Sequence, residues 1–166
     1  MEMKIVRAGM LTTVQDLGRR GCRHAGVPLS GGMDPAALRI ANALVGNAED
    51  AAVLEFTLVG PEVEFSEATW VAVGGATCEG VEAWKPLRVE AGERLKIGAC
   101  AHGCRGYLAV AGGIEVEPVL GSRSTFVRAR LGGFEGRALK EGDALAIGAS
   151  GDVQLAEKSV RGWKID

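Results

Sequence analysis

The sequence predicts a mainly β fold that carries one main helix. Glycine is frequent, at 25 of 166 residues, and the segments between glycines are short and either β-branched or alternating in polarity. Strands that are this short and this numerous usually close into a barrel or a sandwich. A single stretch near residues 34–46 departs from this pattern, because its apolar residues recur with the period of a helix.

The predicted strands are short apolar segments spread along the chain. They are residues 54–59, 70–73, 87–89, 95–97, 107–111 and 145–147. Two stretches, 89–98 and 139–148, also match each other position by position in residue type. Each is predicted to form a hairpin, because its Gly-Glu or Gly-Asp pair supplies the positive φ of a tight turn.

The predicted helix begins after Asp34, which has the side chain of an N-cap residue. Pro35 suits the first helical position, and Gly46 suits the residue that ends a helix. The apolar residues that define the helical period are Ala37, Leu38, Ala41, Leu44 and Val45.

Length and charge limit the functions that fit this chain. A chain of 166 residues is typical of one domain, which we expect to cover residues 1–148. Residues 149–166 lose the apolar pattern and are expected to be a linker or tail. The net charge of −2 comes from interspersed charges, which argues against nucleic-acid binding. We expect a cytoplasmic protein without a membrane contact, because the sequence shows neither a spanning apolar run nor a signal-peptide layout.

The chain has four cysteines, which are too few and too scattered for a disulfide framework, and we expect free thiols. The sulfur and imidazole groups that suggest a zinc site are Cys22, His24, Cys100, His102 and Cys104. Alternating positions on a strand diverge, whereas zinc ligands converge from a knuckle, so the prediction is that no metal is bound. A cysteine nucleophile paired with a histidine lacks an identifiable third residue.

Three polar segments are candidates for a functional site, and each has an ordinary structural alternative. Asp16 and Arg19 in segment 12–19 could hold a carboxylate or phosphate, or they could form a local pair on a solvated turn. Segment 26–34 places Gly31 and Gly32 before the helix, where backbone N–H groups suit an anion, although the Lys and Ser/Thr of a P-loop are missing. Segment 121–125 is rich in hydroxyl groups and could contact phosphate or form a turn.

The order of the motifs resembles one family over residues 3–148. This family is the C subunit of the bacterial ATP-dependent 5-oxoprolinase, also called allophanate hydrolase subunit 2 or biotin-dependent carboxyltransferase-like. The motifs that carry the resemblance are residues 13–19, 26–28, 30–34, 41–42, 46–47, 54–55, 106–110, 112–114, 120–125, 136–137 and 142–143.

The resemblance implies a cyclophilin-like β-barrel and a role in a larger assembly. Members of the family work with a homologous B-type subunit and an A subunit, and together they open the lactam of 5-oxoproline to L-glutamate with ATP, which Mg²⁺ accompanies. The family's second half is missing from this chain, so we expect no activity from the chain alone. Alternatives within the resemblance are a non-catalytic regulator that binds a kinase-inhibitor-like partner, and a carboxyltransferase domain of a urea carboxylase system that uses biotin.

The resemblance also implies which residues line the shared site. Asp16 and Arg19 are the predicted catalytic residues: Arg19 would hold an anionic group, and Asp16 would orient Arg19 or a water. We therefore expect Arg19→Ala to leave folding intact and to abolish activity in the reconstituted complex. The residues predicted to bind substrate are Gln15, Ser30, Gly31, Asp34, Asn42, Glu55 and Tyr107.

Overall fold

The structure, a computed structural model, describes residues 1–150. The predicted tail of residues 149–166 therefore lies outside the described residues from position 151 onward. The strands are β1 (Glu2–Arg7), β2 (Thr12–Gln15), β3 (Val53–Thr57), β4 (Glu62–Phe65), β5 (Thr69–Cys78), β6 (Pro86–Val89), β7 (Arg94–Lys96), β8 (Cys100–Val110), β9 (Ile114–Glu115) and β10 (Ala144–Ile147). The main helix is α1 (Pro35–Leu44), and short 3-10 turns cover Arg23–Ala25 and Val127–Ala129.

The strands form two antiparallel sheets of five strands each. The first sheet has the order β7-β4-β1-β10-β9, and the second has the order β2-β3-β8-β5-β6. Apolar side chains from both sheets meet in one core, in which Ile5 and Val63 of the first sheet face Leu54, Phe56 and Leu108 of the second. All five are fully buried. The prediction of a mainly β fold with one main helix is confirmed.

The outer face of the second sheet carries α1, which packs on β5 and β8. Ala37, Leu38 and Ala41 of the helix are buried against this face, together with Ala72 and Ala109 of the sheet. The second sheet is thus apolar on both faces near α1, as expected for a layer covered on both sides. Val53 of β3 packs in the same cluster as the helix, whereas Gln15 of β2 contacts the loop residue Thr125.

The ends of α1 agree with the prediction. The Asp34 side chain accepts hydrogen bonds from the backbone N–H groups of Ala36 (3.1 Å) and Ala37 (3.0 Å). Pro35 is the first helical residue, and Gly46 follows the helix with a positive φ of 75°. The N-cap and the glycine therefore set the bounds of the helix, as sequence reasoning expected.

The two predicted hairpins are wrong. Val89 ends β6 in the second sheet, whereas the turn at Gly92 leads into β7 in the first sheet. Similarly, Leu139 donates its N–H to Thr12 O of β2 (2.8 Å) before the chain enters β10 of the first sheet. Each tight turn carries the chain around the core from one sheet to the other. The apolar alternation is the same as in a hairpin, because both flanks point into the shared core.

The prediction that all cysteines are free is also wrong. Cys78 and Cys100 form a disulfide between β5 and β8, where the strand register brings these two residues opposite each other. Cys22 and Cys104 are free. A cross-strand pairing of residues 22 positions apart depends on register, which cysteine spacing alone does not reveal.

Candidate functional site

The structure brings the two polar loops of segments 12–19 and 26–34 into direct contact. The backbone N–H of Gly32 donates to Asp16 O (2.9 Å), and that of Arg19 donates to Leu29 O (2.7 Å). Gly31 has a φ of 86°, and a Cβ at this position would lie 2.9 Å from the backbone N of Gly18. The two loops can approach this closely only because a glycine stands at the contact.

Asp16 is buried and surrounded by donors. Its Oδ1 accepts hydrogen bonds from the Gly18 N–H (2.7 Å), the Ser122 hydroxyl (2.7 Å) and the Ser124 hydroxyl, and its Oδ2 accepts from the Arg123 N–H (2.6 Å). Burial opposes the charged form, but these hydrogen bonds outweigh it and lower the pKa of Asp16. The carboxylate is therefore ionised, and its acceptor capacity is largely occupied within the protein.

Arg19 is also buried, with 1% of its surface exposed. Its Nε donates to Val119 O (3.1 Å) and its Nη2 donates to Ser124 O. Burial lowers the pKa of Arg19, and the charge of Asp16 opposes that shift. Among the ion pairs of residues 1–150, none joins Asp16 to Arg19. Both residues instead bind segment 119–124, so they fasten the hydroxyl-rich segment to the N-terminal loops.

A second group of polar side chains lies in register on the outer face of the second sheet. Thr13 pairs with Glu55, Glu55 with Tyr107, and Tyr107 with Gly74. Side chains two positions apart on a strand share a face. The residues two positions away on the same strands therefore also belong to this group. We call this group the polar face; its residues are Thr13, Gln15, Glu55, Thr57, Arg105 and Tyr107.

The polar face is tied to the loop before α1 through Glu55 and Tyr107. The Tyr107 hydroxyl donates to Glu55 Oε2 (2.9 Å) and accepts from the Asp34 N–H (2.7 Å). The Met33 N–H also donates to Glu55 Oε2 (2.7 Å). Burial, and after it the negative charge of Glu55, raise the pKa of Tyr107 well above its ordinary value. Tyr107 is therefore a proton donor in this site at neutral pH and not a base.

Gln15 lies at the edge of the polar face. Its Nε2 donates to the Thr13 hydroxyl (3.0 Å) and to Thr125 O (3.2 Å). Within residues 1–150, three buried side-chain atoms have no hydrogen-bond partner: Gln15 Oε1, Arg19 Nη1 and Ser30 Oγ. An unpaired buried polar group costs about 1–3 kcal/mol. All three belong to the two contacting loops, so these loops have unused polar capacity that a ligand or a water would satisfy.

Most of the predicted site residues lie in one region, but Asn42 does not. The predicted residues that the structure brings together are Gln15, Asp16, Arg19, Ser30, Gly31, Asp34, Glu55 and Tyr107. Asn42 lies near the other end of α1, where its Nδ2 donates to Ala51 O (2.8 Å) and its Oδ1 accepts from Asn47 Nδ2 (3.0 Å). It stabilises the turn after the helix.

Sequence reasoning missed Thr13, Thr57 and Arg105 as members of the same face. Arg105 Nη1 donates to the Thr57 hydroxyl, and these two residues are paired across β3 and β8. Their spacing in the sequence could have indicated this. Arg105 is two residues before Tyr107, and Thr57 is two residues after Glu55, so each pair shares one face of its strand. That signal becomes informative only when the register of the two strands is known.

Metal-binding clusters and membrane-spanning helices are both absent from the part of the chain that the structure describes. Residues 1–150 contain no cluster of three or more His, Cys, Asp or Glu side chains that could hold a metal ion. In the same range, no helix is both long enough and apolar enough to cross a membrane.

Comparisons with known proteins place this geometry in a family context. The family model described as carboxyltransferase domain, subdomain A and B, matches residues 25–164. The chain is 51% identical to the C subunit of the 5-oxoprolinase of Escherichia coli (strain K12), over 96% of this chain and 53% of that protein. It is 43% identical to the urea amidolyase of Lachancea kluyveri, over 96% of this chain and 9% of that protein.

A solved structure of a urea-processing enzyme is also similar to this chain. The crystal structure of the Kluyveromyces lactis urea carboxylase superposes with a TM-score of 0.85 at 41% identity, covering 88% of this chain and 14% of that one. The chain spans about half the length of the 5-oxoprolinase relative and a small part of the urea-processing relatives.

Proposed function

The chain belongs to the family of carboxyltransferase domains, subdomain A and B, and on this premise we propose that it is a component of an ATP-dependent 5-oxoprolinase. The assembly would open the lactam of 5-oxoproline to L-glutamate, and the chain would act with a homologous B-type subunit and an A subunit. The observation that carries this proposal is the 51% identity to the C subunit of a 5-oxoprolinase over 96% of the chain. The polar face supplies the chemistry that such a substrate needs.

The proposed substrate is a small cyclic amide, and the polar face offers groups that match one. Glu55 has a carboxylate oxygen that accepts the hydrogen bond of Tyr107 (2.9 Å), and its other oxygen suits an amide N–H. The Tyr107 hydroxyl donates its proton to Glu55 and so holds that carboxylate in place, and Gln15 Oε1 is an unpaired acceptor. An unstrained amide is a poor electrophile, so ATP would serve to activate the amide oxygen. The role of this chain would be to bind and orient the amide.

The residues of this chain do not fit ATP at the glycine-rich loop before α1. The first free N–H groups of the helix, at Ala36 and Ala37, are already bound by the Asp34 carboxylate. A negative side chain at that position repels phosphate and occupies the donors that a phosphate would use. We therefore propose that the nucleotide and its Mg²⁺ bind to another part of the assembly.

We assign different roles to the two groups of polar residues. Asp16 and Arg19 would keep the loops in place, because most of their polar atoms, although not Arg19 Nη1, are bound to the segment 119–124. Glu55 and Tyr107 would contact the substrate, with Gln15 and Ser30 beside them. On this proposal residues 1–148 form the functional domain, and the assembly is cytoplasmic.

A carboxyltransferase role in a urea-processing system is the second candidate. Its support is the 43% identity to the urea amidolyase of Lachancea kluyveri and the structural match to the Kluyveromyces lactis urea carboxylase. In that role the chain would work beside a biotinylated carrier, and the polar face would bind a neutral amide such as urea.

Reconstitution separates the two candidates. The chain is combined with A-type and B-type subunits, ATP, Mg²⁺ and 5-oxoproline, and glutamate release is followed. We expect glutamate from the complete mixture and none when the chain or a subunit is omitted. Carboxylation of urea from a carboxybiotin donor, without glutamate release from 5-oxoproline, would favour the second candidate. Glutamate release from the chain alone would contradict the proposed division of labour.

A further inference from the structure

We propose that Arg105 is a specificity-determining residue, which binds the carboxylate of a small amide whose N–H group is held by Glu55. This inference rests on the proposed function, because it names the feature by which the chain would distinguish 5-oxoproline from a neutral amide. Its basis is the position, the hydrogen bonding and the charge of Arg105 on the polar face.

The position follows from the strand register. Arg105 and Tyr107 stand two residues apart on β8, and their partners on β3 are Thr57 and Glu55. Neighbours at this spacing on one strand are about 6–7 Å apart and point to the same side. The Arg105 side chain is thus on the same side of the sheet as the Glu55 and Tyr107 pair, and its hydrogen bond to Thr57 places the guanidinium toward β3.

The hydrogen bonding leaves most of Arg105 available. One donor, Nη1, is bound to the Thr57 hydroxyl, which fixes the direction of the side chain. A guanidinium has five N–H donors in a planar fork that matches a carboxylate. Arg105 is partly buried, so a ligand bound here would be held in an environment less screened than free solvent.

The charge of Arg105 has no counterpart in the described part of the chain. The ion pairs of residues 1–150 include Arg39, Arg88, Arg94 and Arg137 but not Arg105. Its hydrogen bond to Thr57 is to a neutral group. A partly buried cation with an ordered side chain and no anion is suited to an anionic ligand.

Glu55 sets what the rest of the ligand must be. Both hydrogen bonds that Glu55 receives, from Met33 N–H and the Tyr107 hydroxyl, end on Oε2, so Oε1 is available for a donor. The site therefore fits a molecule with a carboxylate next to an amide N–H, which is the arrangement in 5-oxoproline. Urea and 2-pyrrolidinone lack the carboxylate.

The test measures binding to the 166-residue chain by calorimetry with 5-oxoproline, 2-pyrrolidinone and glutarate. We expect Arg105→Gln to weaken 5-oxoproline binding at least tenfold and to leave 2-pyrrolidinone binding unchanged. Arg105→Lys should recover only part of the loss, because a lysine keeps the charge but not the fork. Arg94→Gln, on the first sheet and exposed, is the matched control and should bind all three compounds as the wild type does.

The outcomes separate this inference from the proposed function. Equal affinity of wild type and Arg105→Gln for 5-oxoproline would overturn the inference, as would the absence of saturable carboxylate binding by the wild type. Binding of glutarate that depends on Arg105, with no binding of 5-oxoproline, would support carboxylate recognition and refute the proposed substrate. In the reconstituted assembly, glutamate release with an unchanged KM in Arg105→Gln would support the function and overturn the role of Arg105.

Discussion

The anchor formed by Asp16 and Arg19 differs from the polar face, although both are dense in polar residues and adjoin the same loops. In the anchor, the carboxylate of Asp16 has four donors and the guanidinium of Arg19 binds two backbone carbonyls. On the polar face, Glu55 and Arg105 each keep atoms that no described residue binds. The polar atoms of the anchor are mostly bound within the protein, whereas the polar face has unbound polar atoms, which is why we propose it as the binding site.

This comparison changes how polar density in a sequence should be interpreted. A charged pair in a loop near a glycine suggests catalysis. A buried charged group that is bound mostly within the protein has instead a structural use, because leaving it unpaired is costly. Spare donors and acceptors on a rigid sheet are the better indication of a binding site. Substitutions in each of the two regions test this difference.

Arg19→Ala should have the largest effect on stability. The change leaves Val119 O and Ser124 O without a donor, and each buried acceptor left unpaired costs about 1–3 kcal/mol. It also takes away the positive charge near Asp16. Chemical denaturation measures this loss. The expectation from sequence was intact folding for this variant. Unchanged stability with lost activity would return Arg19 to the catalytic residues and remove the contrast between the two regions.

Asp16→Asn should cost about 2–3 kcal/mol at neutral pH, because a charged acceptor of several hydrogen bonds is replaced by a neutral amide. The native pKa of Asp16 is lowered, so its contribution is present above about pH 4, the unfolded value, and is lost as the pH falls through the native value. The difference in the free energy of unfolding between the wild type and Asp16→Asn should therefore shrink as the pH falls. Chemical denaturation at several pH values measures this difference. Exposed Asp50→Asn is the control. A difference that does not change with pH would contradict this account.

Tyr107→Phe should affect function more than stability. The ring remains buried and only the hydroxyl is lost, so the free energy of unfolding should fall by about 1 kcal/mol. Glutamate release by the reconstituted assembly should fall at least tenfold, because the hydroxyl holds the Glu55 carboxylate in place and a small misplacement of a binding group can cost about 10²-fold in rate. Asn42→Ala, at the other end of α1, should reduce stability without changing the activity of the folded fraction. Equal activity losses in the two variants would show that the polar face acts through folding alone.

Ser30→Ala should have the smallest effect. The Ser30 hydroxyl is buried without a partner, so its removal should change stability by no more than about 0.5 kcal/mol. If the hydroxyl contacts the ligand, the affinity for 5-oxoproline should fall about threefold to tenfold in calorimetry. A large loss of stability would place Ser30 with the anchor instead of the binding site.

The sequence predicted the parts of the fold that depend on local chemistry. The N-cap Asp34, the first-turn proline and the terminal glycine defined α1, and apolar segments located the strands. The turn at Gly92 was recognised, but the partner of each flanking strand was not, because a hairpin and a turn between sheets share one apolar pattern. The Cys78–Cys100 pairing was missed for the same reason, since it depends on which residues the sheet places opposite each other.

Some residues of the candidate site could be predicted from the sequence, and others depend on the strand register. Gln15, Glu55 and Tyr107 came from a family resemblance, and the structure places them on one sheet face. Arg105 was missed, although it is two residues from Tyr107, because an isolated arginine in a strand carries no signal until its neighbours on the next strand are known. The contacts of Asp16 and Arg19 with segment 119–124 could not be inferred from residue type, since they depend on the fold.

The backbone contact between residues 16–19 and 29–32 has a practical meaning for protein engineering. Main-chain hydrogen bonds join the two loops, and Gly31 leaves no room for a side chain beside Gly18. A library that randomises one loop while keeping the other will mostly sample sequences that cannot close the contact. To change substrate preference, both loops should be transplanted as a unit, or the mutations should be restricted to the strand positions beneath them.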